Sequence, residues 1–384
     1  MHKTNTLVFL SLSMILVSPA FANHQFHAPA VYSGKREFPF AKPSCSNKNN
    51  SGNGESDFST VSPNCGDTIT VNTRLTQDLN CPNTTGFALK VVGNGITLDG
   101  GRFHINSPLA SAGIYVQGNS NTIKNVKVNG TQAYGIFAYD SPGIQITGSD
   151  TSSNQTGIEI YAENTVMNNV MIYGNISRSN AVFGIRVSQD GQGSVLSPQI
   201  DSNDFSQSGS YAMYIQATKF ELSGFSFNSF YQSLNGVYLQ DGTFTIHDLL
   251  MSCQQIQNHE ISVDSAQSVV VKDVELSTQL PPEPSQEHTG LDLYKCKTFE
   301  IKNMISSNQD VSVKLETEGG VCTSGTFDRV HFLDDTTAGI MVVSYDTTEY
   351  GVLTLADTCG GGESQEVGTI LIEPGTLLGP GSNL

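Results

Sequence analysis

Glu159 stands in the middle of the stretch TGIEIYA, Thr156 to Ala162, with Ile158 and Ile160 on either side. One repeat later the equivalent position holds Arg186, so a carboxylate and a guanidinium face each other across neighbouring segments. Such a couple is either an exposed ion pair, worth roughly 0–1 kcal/mol, or the reacting pair of an acid-base site. The same position in other repeats carries Tyr115, Phe137, Tyr214 and Tyr238, and two residues further on stand Tyr139, Tyr161, Gln216 and Gln240. Rings at one-strand intervals form a platform for the apolar faces of sugars, with the amides placed for hydroxyls. The same rings also make a plain cross-strand ladder, stabilised by roughly 0.2–1 kcal/mol per pair. Asp140, Glu163 and Asp190 recur at the ends of three successive segments. Clustered carboxylates suit Ca2+, which takes several hard oxygen ligands. Two of them one or two repeats apart also span the roughly 5–9.5 Å of a glycosidase pair, and acids are common in turns for backbone reasons.

What positions these residues is a repeat. Aligned on the first inward-looking apolar residue, the segments give Ile114, Ile136, Ile158, Ile185, Met213, Val237, Ile261 and Leu291, with gaps of 22, 22, 27, 28, 24, 24 and 30. Periods of this size mark a stacked-repeat protein, and long helical patterns are missing. A second recurrence places Asn125, Asn169, Gly224, Asp248, Asp273 and Asn303, with Gly148 in a weaker copy, between apolar neighbours. Asn, Asp and Gly share tolerance of the left-handed backbone region, so the pattern predicts one sharp bend per unit between two short strands.

Together with the opening CGDTITVNTRLTQDLNC and GITLDGGRFHI, these repeats resemble the right-handed parallel β-helix family, the pectate-lyase-like superfamily. The resemblance covers roughly Cys65 to Gly368 and implies an all-β solenoid of about ten to twelve coils. Coils would stack at about 4.8 Å, with Ile158 and Ile160 inside and Glu159 outside, open to solvent. Pectate lyases of the superfamily use acid-bound Ca2+ and an arginine base, for which Asp140, Glu163, Asp190 and Arg186 are the local matches. The N-T-D, G-H-D and R-x-K motifs of polygalacturonases and the D-P-H-D motif of mannuronan epimerases are absent.

The first 22 residues combine Lys3, the apolar run LVFLSLSMILV and Ala20-Phe21-Ala22, the pattern of a signal peptide. A secreted or periplasmic protein is expected, with no membrane span. Residues 23–64 read as a polar leader, 65–370 as the solenoid with an excursion at Pro281, and 371–384 as a tail or cap. In an oxidising compartment the seven cysteines are disulfide partners first, and Cys65 with Cys81 is the best pair because they bracket one short strand-like unit. The formal charge of −17 is concentrated late: 15 acidic and 13 basic residues precede position 248, and 21 and 6 follow from there. Such a chain lacks the surface needed to neutralise phosphates, so nucleic acid is not an expected partner. The scattered histidines and the missing G-x-S-x-G elbow give no support to Ser/His/Asp catalysis. Two functions fit: an exported carbohydrate-active protein, a lyase or hydrolase acting on an extended polysaccharide, or a non-catalytic, adhesin-like binding solenoid. The sequence does not specify an oligomeric state.

Overall fold

The computed structural model describes residues 58–59, 62–224, 228–251, 255–277, 288–307, 309–317, 324–333, 338–344, 352–356 and 370–372. The expected signal peptide, most of the leader and the tail, the excursion at Pro281, and Cys45, Cys253, Cys322 and Cys359 lie outside these residues. Every strand pair is parallel, and the longest sheet has thirteen rungs running from Thr68–Ile69 to Ile370–Ile372. The first and last rungs are stubs of 2 and 3 residues, and the eleven between them have six or seven. This is a parallel β-solenoid, matching the expected ten to twelve coils.

Register confirms the eight aligned apolar positions one by one, from Ile114 opposite Ile136 to Ile261 opposite Leu291. All eight are fully buried. Each such side chain gains roughly 1.5–3 kcal/mol from leaving water, which exceeds any single surface pair, so the interior stack sets the register. The bends also fall as expected at Asn125, Asn169, Asp248, Asp273 and Asn303, whose φ values lie between 51° and 55°, and at Gly148 with φ 57°. Gly224 is the exception. It does not adopt a left-handed φ; it is needed because a Cβ there would meet the Asp248 carbonyl oxygen at 1.7 Å.

A second face changes character along the chain. Up to Gln199–Asp201 it is a sheet of six short strands, each of two or three residues. From Lys219–Ser223 onward a separate six-stranded sheet takes over, reaching ten residues in Ser268–Ser277, Thr298–Ser307 and Ser324–Leu333. A buried asparagine stack marks the corner before the change: the Asn175 N–H donates to Asn203 Oδ1 at 3.0 Å and the Asn203 N–H to Asn228 Oδ1 at 3.0 Å. The cysteine pairing expected from sequence is present, with Cys65 bonded to Cys81. Cys296 is buried, its thiol 3.6 Å from the Tyr294 carbonyl oxygen. No helix among the described residues is long and apolar enough to cross a membrane.

Candidate functional site on the outer sheet face

The outward column read from the sequence is in register from Tyr115 through Phe137, Glu159, Arg186, Tyr214, Tyr238 and Ser262 to Asp292. Its rings form two blocks. In the first, Phe87 stacks on Tyr115 at 4.5 Å, Tyr134 on Phe137 at 4.9 Å, and Tyr139 lies 5.9 Å from Tyr161. In the second, Tyr214 stacks on Tyr238 at 5.2 Å, with Phe183 and Tyr211 packed alongside. Phe183 and Tyr211 open their strands two residues before the aligned apolar position, a place the period-two pattern does not flag. The signal was present as an aromatic followed by a small residue: Tyr134-Gly135, Phe183-Gly184 and Tyr211-Ala212.

Between the blocks lie Glu159 and Arg186. The expectation that Glu159 is solvated is wrong, since it is only 2% exposed. Alternation fixes which side of a strand a residue takes, but lateral neighbours decide whether water reaches it. Its Oε1 accepts from the Ser188 hydroxyl at 2.7 Å and lies 3.8 Å from Arg186 Nε, while Oε2 is buried with no hydrogen-bond partner. Burial pushes the Glu159 carboxyl up to about 7, against the opposing pull of the Arg186 charge and the Ser188 hydrogen bond. The pair is therefore partly buried rather than exposed. The Arg186 guanidinium also lies 5.7 Å from the Phe183 ring and 5.5 Å from the Tyr214 ring, so it packs on the second aromatic block, while Glu159, opposite Phe137 in register, adjoins the first.

The ring hydroxyls and amides are already employed between coils. Tyr139 is hydrogen-bonded to Glu163, and Tyr214 to Gln240. Tyr238 donates to Asp264 Oδ2 at 2.7 Å, and Gln216 Nε2 donates to Asp241 Oδ2 at 2.9 Å. The hydrogen bond to Glu163 raises the Tyr139 phenol to about 12. Because neighbouring rings cover one another within each stacked pair, the platform offers sugars ring edges and the outermost faces only.

Asp140, Glu163 and Asp190 do not assemble as the sequence pattern predicted. Asp140 has a left-handed φ of 43° and accepts from the backbone N–H groups of Glu163 at 2.9 Å and Asn164 at 3.1 Å. Glu163 is committed to Tyr139, and Asp190 caps the Gly191 N–H at 2.6 Å. Among the described residues no three His, Cys, Asp or Glu side chains come together as metal ligands. Asp140 and Asp190 serve turns and Glu163 holds a tyrosine, and this arrangement does not fit a Ca2+ cage.

Beyond Tyr238 the face opens into a hollow of about 410 Å³. Tyr211, Tyr238, Asp264, Asp292, Tyr294 and Glu316 line it. The residues opposite are Ser262 with Asp292 and Asp264 with Tyr294, so the two aspartates sit diagonally on adjacent rungs. Lys314 pairs with Glu316 at 2.6 Å. Asp292 and Tyr294 fall in the two outward columns, but period does not show that they border a concavity, because hollows arise from side-chain volume.

The sheet geometry defines the fold as a parallel β-helix. The family model for a right handed beta helix region matches residues 112–249. Solved structures similar to the chain include catalytic domains of GH87 alpha-1,3-glucanase, in complex with nigerose or with tetrasaccharides, at 12% identity and TM-scores of 0.27 to 0.28. The aligned region covers 78% of this chain and 62% of those chains. No curated protein matches the sequence.

Proposed function

We propose that the protein is an exported carbohydrate-active β-helix protein that binds an extended polysaccharide along the outer face of the thirteen-stranded sheet. The observation that carries this reading is the continuity of that face: two aromatic blocks flanking the Glu159–Arg186 pair and leading into a carboxylate-bordered hollow. Tyr115, Phe137, Tyr139, Tyr161, Tyr214 and Tyr238 supply ring edges and outer faces to the chain of sugars, and Gln216 and Gln240 border the same track. Arg186, whose side chain is 37% exposed, is the group that touches substrate. Glu159, which titrates near neutrality beneath it, holds or releases the proton.

A non-catalytic binding protein is the second reading, favoured by one specific observation. Glu159 Oε2 and Arg186 Nε are out of solvent, so a substrate resting on Arg186 reaches the Glu159 carboxylate only if a neighbouring side chain moves. Incubating the mature protein with a polysaccharide panel and assaying reducing and unsaturated ends separates the two. Product formation that is lost in Glu159→Gln and Arg186→Ala supports catalysis at this pair. Full activity in both variants removes the pair from the mechanism, and binding without products leaves the adhesin-like protein.

A further inference from the structure

The change of sheet on the second face leaves a groove that the outer-face reading does not use. Leu196 still pairs with Lys219 in the next coil, but there the two paths part. The earlier coil turns at Ser197, with a left-handed φ of 41°, and at Pro198, whereas the later one continues straight through Lys219–Ser223. Gln199–Asp201 is therefore the terminal strand of its sheet. The space between the diverging coils measures about 810 Å³, within the usual range for a small-molecule site.

Its walls have complementary chemistry. On one side Tyr173 lies opposite Asp201 in register, with 56% of its surface exposed. On the other side His247 is fixed by two carboxylates, Glu221 Oε1 at 2.8 Å from Nε2 and Asp248 Oδ2 at 2.7 Å from Nδ1. That clamp holds Glu221 at the groove with most of its side chain exposed. Gln199 and Lys219 complete the polar lining. An exposed aromatic face beside carboxylate acceptors and amide and ammonium donors matches a ligand with apolar C–H faces and many hydroxyls. Asp201 and Glu221 at the groove, with Asp248 behind His247, set three carboxylates against one ammonium and one imidazole, which disfavours an anionic ligand.

We propose that this groove, between Tyr173–Asp201 and Glu221–His247, is a second saccharide site that takes a short stretch of an uncharged glycan. It is independent of the outer face and stands whether or not that face binds a polysaccharide.

The test uses the mature protein with three probes, the α-1,3-, α-1,4- and β-1,4-linked glucose tetrasaccharides. Binding is followed by saturation-transfer NMR and titration calorimetry in the wild type, Tyr173→Ala, Asp201→Asn and Tyr238→Ala. At least one probe is expected to bind with an affinity that drops about tenfold or more in Tyr173→Ala and in Asp201→Asn, while Tyr238→Ala reports any separate binding on the outer face. Circular dichroism confirms that these surface variants fold. Absence of binding by all three probes, or equal affinity in both groove variants and the wild type, overturns the proposal. Loss in Tyr238→Ala alone assigns binding to the outer face instead and overturns it equally.

Discussion

Glu159 and Glu260 lie in the same sheet, four rungs apart, and both are nearly inaccessible, at 2% and 3% exposure. Glu159 occupies the outward column, with a cation and a hydroxyl beside it. Glu260 precedes Ile261 in the column that holds Gly236 and Gly290 in the adjoining coils. Its Oε1 accepts from Gln309 Nε2 at 3.0 Å, Oε2 has no hydrogen-bond partner, and burial pushes the carboxyl up to about 8. The difference shows what an adjacent charge does for a buried acid. Arg186 and Ser188 pull Glu159 back to about 7, whereas Glu260, opposed by an amide alone, is pushed up to about 8.

Glu260→Gln tests the deeper half of the comparison and carries the largest expected effect. A folded-state carboxyl raised from 4.5 to about 8 contributes stability that is complete below pH 4.5 and is lost as pH rises toward 8. The variant should therefore gain on the order of 2–4 kcal/mol over the wild type at pH 9 and little at pH 4.5, measured by chemical denaturation at both values. An unchanged pH profile would mean that Glu260 is ionised and solvated after all.

Gly157→Ala asks how special the coil around Glu260 is. A methyl at Gly157 would meet Ser177 Oγ at 1.7 Å and Asn180 Nδ2 at 2.7 Å, so a loss of roughly 1–3 kcal/mol is expected. A neutral outcome would show that the glycine column yields easily, and that Glu260 is not the product of an unusually roomy coil.

Arg186→Ala addresses the outer half. Without the guanidinium, ionised Glu159 keeps only Ser188, so its titration should move above 7. The stability loss, about 1–2 kcal/mol for a pair intermediate between an exposed and a buried one, should be greater at pH 8 than at pH 5. Carboxyl NMR of Glu159 reads the shift directly, and a midpoint that stays put would show that the 3.8 Å separation couples the two weakly. The smallest effect concerns the ligand. Asp264, Asp292 and Glu316 border the hollow, so polygalacturonate should bind more weakly than a neutral glucan, with the gap narrowing as salt rises. Preferential retention of polygalacturonate on an affinity gel would reverse that charge assignment.

Much of the fold was legible because it depends on period. Eight interior positions and the left-handed bends at Asn125, Asn169, Asp248, Asp273 and Asn303 follow from spacing and from backbone tolerance alone. Gly224 was misassigned because glycine answers two needs, positive φ and close approach, and a sequence does not say which applies. The site was legible only as columns. Burial of Glu159 depends on side chains from adjacent rungs, the convergence of acids depends on turn geometry, and the groove at Tyr173 depends on where two coils stop following one path. Glu260 left a trace, an acid where its neighbours have glycine, but a single substitution in a repeat does not reveal the direction in which the side chain is buried.

The bond between Cys65 and Cys81 has a mechanical corollary. In a solenoid each coil leans only on the next, so disruption travels as a front from an end. A covalent ring of this size removes about 3 kcal/mol of chain freedom from the loosened state, and it clasps the rungs before Phe87 while leaving those after Ile340 without its help. Thiol reagents should therefore change which extremity of the coil stack gives way first, well before they alter the outer face at Arg186.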